Sequence, residues 1–148
     1  MCSANQKGPY YDIWALRHKD WCAEDCWAQY KFLNKYRRNS KENINSSIYS
    51  KMISIPHDSQ WIEVDSAFGG SAIYKKFAFL YCEYIGVNDE GEEFCEHTYF
   101  NNRLKLLGAK LFINPKLINA GLTEHTAHFQ FKNRIKEKIE KIINLFLK

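Results

Sequence analysis

The chain has no run of apolar residues that approaches the roughly 18 a membrane-crossing helix needs. Its first ten residues hold no apolar stretch of the signal-peptide kind. Both lacks point to a protein that is soluble or peripheral, in the cytoplasm or at a membrane surface. Paired cysteines in a secreted pattern are also missing: Cys2, Cys22, Cys26, Cys82 and Cys95 make an odd number without the spacing of a disulfide scaffold, which suits a reducing compartment. The body of the chain has no basic stripe either. The formal net charge is +4, and residues 132–148 alone account for it, with Lys132, Arg134, Lys136, Lys138, Lys141 and Lys148 set against Glu137 and Glu140. A neutral body argues against a nucleic-acid groove, and aromatic and basic residues do not interleave as they do in single-strand binders.

What is present fits one ordinary domain. The 148 residues are 45% apolar and 26% charged, a globular mixture with enough apolar surface for a core. Aromatics reach 16% and serve either core packing or stacking on sugar rings. Tyr11, Ile13 and Ala15 alternate in a run apolar enough for an interior strand. Asp20 is placed to cap a helix over about residues 21–37, with Cys26, Tyr30, Leu33 and Tyr36 on one face. Residues 38–50 turn polar and read as a solvated loop.

Trp61-Ile62-Glu63-Val64 then reads as a strand that delivers Gly69 and Gly70, a pair free to adopt positive φ and to approach a ligand without a Cβ. Ala72, Ile73 and Tyr74 continue as a short strand or helix start. Phe77, Leu80, Tyr81 and Tyr84 recur at helical spacing up to Gly86. The acidic turn 88–93 either solvates its charges or holds a cation. A helix is expected over 95–107, ended by Gly108, and a strand over 110–113, closed by Asn114-Pro115.

Four stretches carry chemistry in common: Tyr10-Tyr11-Asp12-Ile13-Trp14-Ala15-Leu16-Arg17, Ser66-Ala67-Phe68-Gly69-Gly70 followed by Ala72-Ile73-Tyr74-Lys75, Cys95-Glu96-His97, and Leu111-Phe112-Ile113-Asn114-Pro115. In these the chain resembles the acceptor-side half of GT-A type nucleotide-sugar glycosyltransferases, most closely the capsule and cell-wall mannosyltransferase-like group. The resemblance covers about residues 2–128. It implies an α/β fold, the C-terminal part of a nucleotide-diphospho-sugar transferase with a short mixed sheet flanked by helices, over a partial transferase domain at 1–131.

The resemblance also assigns roles. Glu96 takes the place of the carboxylate that faces the acceptor, as catalytic base, the lesser alternative being a first-turn acid favoured by the helix dipole. Phe68, Gly69 and Gly70 line the sugar pocket, and His97 binds acceptor or donor phosphate. Asp12 and Arg17 bind substrate hydroxyls or phosphate, or pair as structural polar groups, since unpaired buried charges are costly. His125 fits a histidine that completes a divalent metal shell, and imidazole with carboxylate suits manganese. Members of the group hold Mn or Mg with an Asp-x-Asp motif in the preceding half. No Asp-x-Asp occurs in these residues, and Glu63-Val64-Asp65 is the nearest approach.

The Cys2-Ser3-Ala4-Asn5 start corresponds to the middle of that fold, so the metal is expected only in a complete enzyme. Three accounts follow. One is a truncated or split transferase, completed by another chain and acting on a nucleotide sugar and a glycan or lipid-linked acceptor. The second is a non-catalytic carbohydrate-binding or regulatory remnant. The third, ranked last, is a free-standing zinc or nucleic-acid module: the neutral body disfavours nucleic acid, and for a zinc set of Cys22 and Cys26 joined by Cys95 and His97, buried reduced thiols are the default.

The last stretch, 132–148, reads as a basic amphipathic helix. Ile135, Ile139, Ile142, Ile143 and Phe146 form one stripe, which either contacts a membrane interface or packs on the domain.

Overall fold

The computed structural model describes residues 1–121 and Thr126. His125 and the expected helix at 132–148 lie outside the described residues. The fold is mixed α/β. Its strands are β1 (Cys2–Gln6), β2 (Ile62–Val64), β3 (Ala72–Ile73) and β4 (Leu111–Ala120), in the order β2-β4-β1-β3. The two inner strands run parallel, and each edge strand is antiparallel to its neighbour. Helices α1 (Cys26–Tyr36), α2 (Ser40–Ser47), α3 (Ala78–Tyr81) and α4 (Glu96–Leu106) complete the described elements, with a 3-10 turn at Tyr49–Lys51.

β1 is central although Ser3, Asn5 and Gln6 are polar and buried. Buried polar groups need partners; the neighbouring backbone accepts from the donors of these side chains, while Asn5 Oδ1 and Gln6 Oε1 have no partner among the described residues. Ser3 donates to the Phe112 carbonyl (3.3 Å), Asn5 Nδ2 donates to the carbonyls of Ile55 (3.1 Å) and Pro115 (3.2 Å), and Gln6 Nε2 donates to that of Gly69 (2.6 Å). β4 does not stop at Asn114-Pro115 as expected. Pairing jumps from Ser3 with Ile113 to Asn5 with Ile118, so the excess residues bulge out of the ladder. Proline, which has no N–H to give a ladder, falls in that bulge, and the Asn114 side chain accepts from the Lys116 N–H (3.0 Å) to fix the turn.

The Tyr10–Arg17 run is buried but is not the strand its alternation suggests. It folds as turns, with Ile13 N–H bonded to the Tyr11 carbonyl (2.8 Å) and Leu16 N–H to that of Ile13 (3.3 Å), and it meets Ser66 through a single bridge at Arg17. Ile13 and Leu16 join Tyr10, Cys22, Cys26, Ile48, Val64 and Ile113 in the larger core cluster.

α1 begins later than expected, because His18 and Cys22 close a tight turn with reciprocal backbone bonds (3.0 and 2.9 Å) that a helix from Trp21 would break. Asp25 is the N-cap instead of Asp20, and its Oδ1 accepts from the N–H groups of Trp27 and Ala28, both at 2.9 Å. The polar 38–50 segment is largely helical. Asn39 caps it, accepting from the Glu42 N–H (3.1 Å) while its own amide donates to the Glu42 carboxylate (3.2 Å), a variant of the reciprocal capping box.

The helix expected up to Gly86 is only the single turn of α3, with Cys82 at its C-cap. Gly86 instead accepts at its carbonyl from the Phe94 N–H (3.0 Å). α4 matches its expected span, with Glu96 in the first turn, Arg103 and Lys105 in the last, and Gly108 at φ 80 just beyond. Its buried face is Phe100, Asn101 and Leu104, which packs with Ala78 and Cys82 as a second, smaller core.

Candidate functional site

Asn101 is the residue that carries α4 to the site. On an otherwise apolar face its amide donates to the Ser66 hydroxyl (3.0 Å) and the Ala67 carbonyl (3.2 Å), and its oxygen accepts from the Tyr74 hydroxyl (3.1 Å). The first turn of α4 is thereby fixed beside Phe68-Gly69. The imidazole of His97 stacks on the Phe68 ring, with centroids 3.8 Å apart and planes inclined by 17°. His97 Nδ1 meets the Tyr84 hydroxyl, and Nε2 lies 3.5 Å from Glu96 Oε1.

Burial raises the proton affinity of the Tyr84 phenol, and the nearby Glu96 carboxylate raises it further, so this hydroxyl is the natural donor to Nδ1. The neutral imidazole with its hydrogen on Nε2 then satisfies both neighbours. Burial also lowers the pKa of His97 below its ordinary 6.5, against the pull of Asp12 and Glu96 in the other direction.

Asp12 enters from the Tyr10–Arg17 turns. Its Oδ2 accepts from the Gly69 N–H at 3.0 Å. Burial raises its pKa above the ordinary 3.8, opposed by the N–H groups of Gly69 and Ala15 and by His97. Glu96 is the more open carboxylate, its side chain 36% exposed against 13% for His97. Gly86 allows this placement, since a Cβ there would stand 3.3 Å from the Cβ of Glu96. Three segments far apart in sequence thus bring two carboxylates, an imidazole and a phenol together, a set able to accept and pass on a proton.

Comparison with protein-family models, with curated proteins and with solved structures returned no match. The site therefore rests on its own geometry.

The structure joins four expected site residues, Asp12, Phe68, Glu96 and His97, and gives the others different surroundings. Gly69 and Gly70 do take positive φ, 67 and 78. Their missing Cβ atoms make room for the chain itself. At Gly69 a Cβ would fall 2.2 Å from the Ala4 carbonyl oxygen, and at Gly70 it would fall 2.6 Å from Asn119 Nδ2 and 2.7 Å from the Tyr11 hydroxyl. Arg17 is committed elsewhere: it pairs with Asp25 (2.8 Å) and donates to the carbonyls of Trp14 (2.8 Å) and Leu16 (2.7 Å). With the Trp14 indole N–H on the same Asp25 oxygen (3.0 Å), Arg17 fastens the turn to the start of α1.

Cys22 and Cys26 sit in the larger core as thiols. Burial pushes Cys26 up to about 12. Cys95 is the N-cap residue of α4. Among the described residues no three His, Cys, Asp or Glu side chains are grouped to hold a metal ion, so the proposed zinc set is not assembled. For Mn or Mg the described residues likewise give no ligand set. Among the described residues no helix is long and apolar enough to cross a membrane.

Sequence reasoning missed Tyr84 and Asn101 as site residues. Asn101 had a signal, as the one polar position between Phe100 and Leu104 on the face that α4 buries. Tyr84 was visible only as one of several aromatics at helical spacing.

Proposed function

We propose that the chain is the acceptor-side part of a GT-A type nucleotide-sugar glycosyltransferase, transferring a sugar to a glycan or lipid-linked acceptor. The observation that carries this reading is the convergence of Asp12, Glu96 and His97 beside Phe68-Gly69. Glu96 is the base. Its side chain is more exposed than that of His97, which leaves it accessible to an acceptor hydroxyl. His97, held by Phe68 and Tyr84, orients that carboxylate, and Asp12 binds hydroxyl groups. Burial of Asp12 and His97 keeps the electrostatics strong by limiting water.

The departing diphosphate also needs neutralisation, and the Asp-x-Asp that holds Mn or Mg for this purpose is not among these residues. A donor-binding unit bearing it completes the enzyme. The test is sugar transfer from GDP-mannose, UDP-glucose or UDP-galactose to neutral glycosides, with the chain combined with a donor-binding unit that carries an Asp-x-Asp. Transfer by the combination supports the reading, and no transfer from any of the donors overturns it.

A second reading, a carbohydrate-binding remnant without catalysis, is favoured by the lack of an Asp-x-Asp among these residues to hold the donor's metal. Glycoside binding without transfer would select it.

A further inference from the structure

Asp12 faces more than the Glu96–His97 cluster. It also lines a cavity of about 450 Å³, within the usual range for small-ligand sites, whose walls include Tyr11, Trp14, Trp27, Tyr49 and Met52. We infer that this cavity is a subsite for an uncharged saccharide, the sugar unit of the acceptor. The inference rests on the glycosyl-transfer reading and adds to it the place and chemical class of one substrate.

Three observations lead there. The first is the composition of the walls. Two indoles and two phenols offer flat apolar faces edged with polar atoms, which is the complement of a pyranose ring with its C–H face and hydroxyl rim. Charge is the second. Among the described residues lining the cavity, Asp12 is the one carboxylate and no lysine, arginine or histidine is present. A carboxylate repels a phosphate or diphosphate and accepts hydrogen bonds from hydroxyls. A donor's diphosphate is disfavoured here, and a neutral sugar is not.

Rigidity is the third. The Trp14 indole N–H is bonded to Asp25 Oδ2, which Arg17 also holds, so the ring is fixed before any ligand arrives. Trp27, 40% exposed on the first turn of α1, stands at the rim. Asp12 belongs both to this cavity and to the cluster with His97 and Glu96, so a sugar seated against the indoles meets that cluster through Asp12, while Glu96 and His97 do not line the cavity.

The test follows the indole N–H signals of the full chain by NMR while methyl α-mannoside, methyl β-glucoside, methyl β-galactoside and a neutral disaccharide are each titrated to tens of millimolar. GDP and inorganic pyrophosphate serve as charged controls. At least one glycoside should shift the Trp14 and Trp27 signals and leave that of Trp61, which does not line the cavity, in place. Trp27→Ala should weaken that binding about tenfold, with Trp27→Phe restoring most of it.

Unmoved signals with every glycoside, shifts centred on Trp61, or equal shifts with pyrophosphate would overturn the subsite. The two readings fail separately. Glycoside binding here without transfer in the combined assay removes the enzyme and leaves the subsite. Transfer whose acceptor KM is unchanged by Trp27→Ala removes the subsite and leaves the enzyme.

Discussion

Replacing Asn101 by alanine should loosen both the fold and the site, and the size of the effect can be worked from its contacts. The substitution strips one partner each from the Ser66 hydroxyl, the Ala67 carbonyl and the Tyr74 hydroxyl. A buried polar group left unpaired costs about 1–3 kcal/mol. Ser66 is free to rotate its hydroxyl and Tyr74 is only partly buried, so the low end applies to each, giving a total of about 3 kcal/mol. For a chain of this size each kcal/mol moves Tm by about 2–4 °C, so a fall of about 6–12 °C is expected in calorimetry.

Asn101→Asp should cost at least as much, because it keeps an acceptor for Tyr74 but sets a carboxylate against the Ala67 carbonyl. The local signature is loss of the upfield shift that the Phe68 ring imposes on the His97 imidazole protons, since α4 would no longer be held against Ser66-Ala67. A Tm change below about 2 °C with the ring shift intact would refute Asn101 as the anchor.

Gly69→Ala should destabilise by about 3 kcal/mol or more, since φ 67 costs a side chain about 1–2 kcal/mol and the Cβ would also collide with the Ala4 carbonyl. Gly91→Ala, also at positive φ but in open space, should show only the conformational part; equal losses in denaturant unfolding would contradict the packing argument. His97 has a folded pKa below 6.5, so the unfolded chain binds more protons, and the stability it contributes is full above 6.5 and is lost as pH falls through the lowered value. Proton NMR should therefore place its titration below 6.5, and His97→Gln should flatten the stability profile in that window; a titration at or above 6.5 would reverse the sign. From the charge of residues 132–148, the chain should sediment with anionic vesicles at low salt and lose this on deletion after Phe131. Binding that survives the deletion or ignores salt would place the Ile135–Phe146 stripe in the core.

What could be read from the sequence was what local signals decide. α4 has an acid at its start, cations in its last turn and a glycine after it, and it was found to within a residue. β2 and the positive φ of Gly69 and Gly70 were read the same way. β1 escaped because buried Ser3, Asn5 and Gln6 resemble a surface segment, and the carbonyls that accept from them come from residues 50 to 110 positions away. α2 escaped because its polar composition outweighed the Asn39–Glu42 cap. The Tyr10–Arg17 run was rightly expected to be buried, yet alternation could not distinguish a strand from turns tied down by Arg17 and Asp25.

At the site, the proximity of Glu96 and His97 is trivial in sequence, but that of Asp12 to them is not. The resemblance names Asp12 only as a substrate-binding residue, and its place beside the cluster comes from its bond to the Gly69 N–H. The glycine pair also has a structural reason that its sequence does not show: a Cβ at either position would meet Ala4, Asn119 or Tyr11.

The most direct measurement of the central claim is turnover by Glu96→Gln in the combined chains, with circular dichroism and Tm recorded on the same samples. The substitution keeps size and hydrogen bonding while removing the base. The account predicts an unchanged fold, an acceptor KM close to that of the parent and a kcat lower by about 10²–10⁴. A folded Glu96→Gln enzyme with full turnover would contradict it.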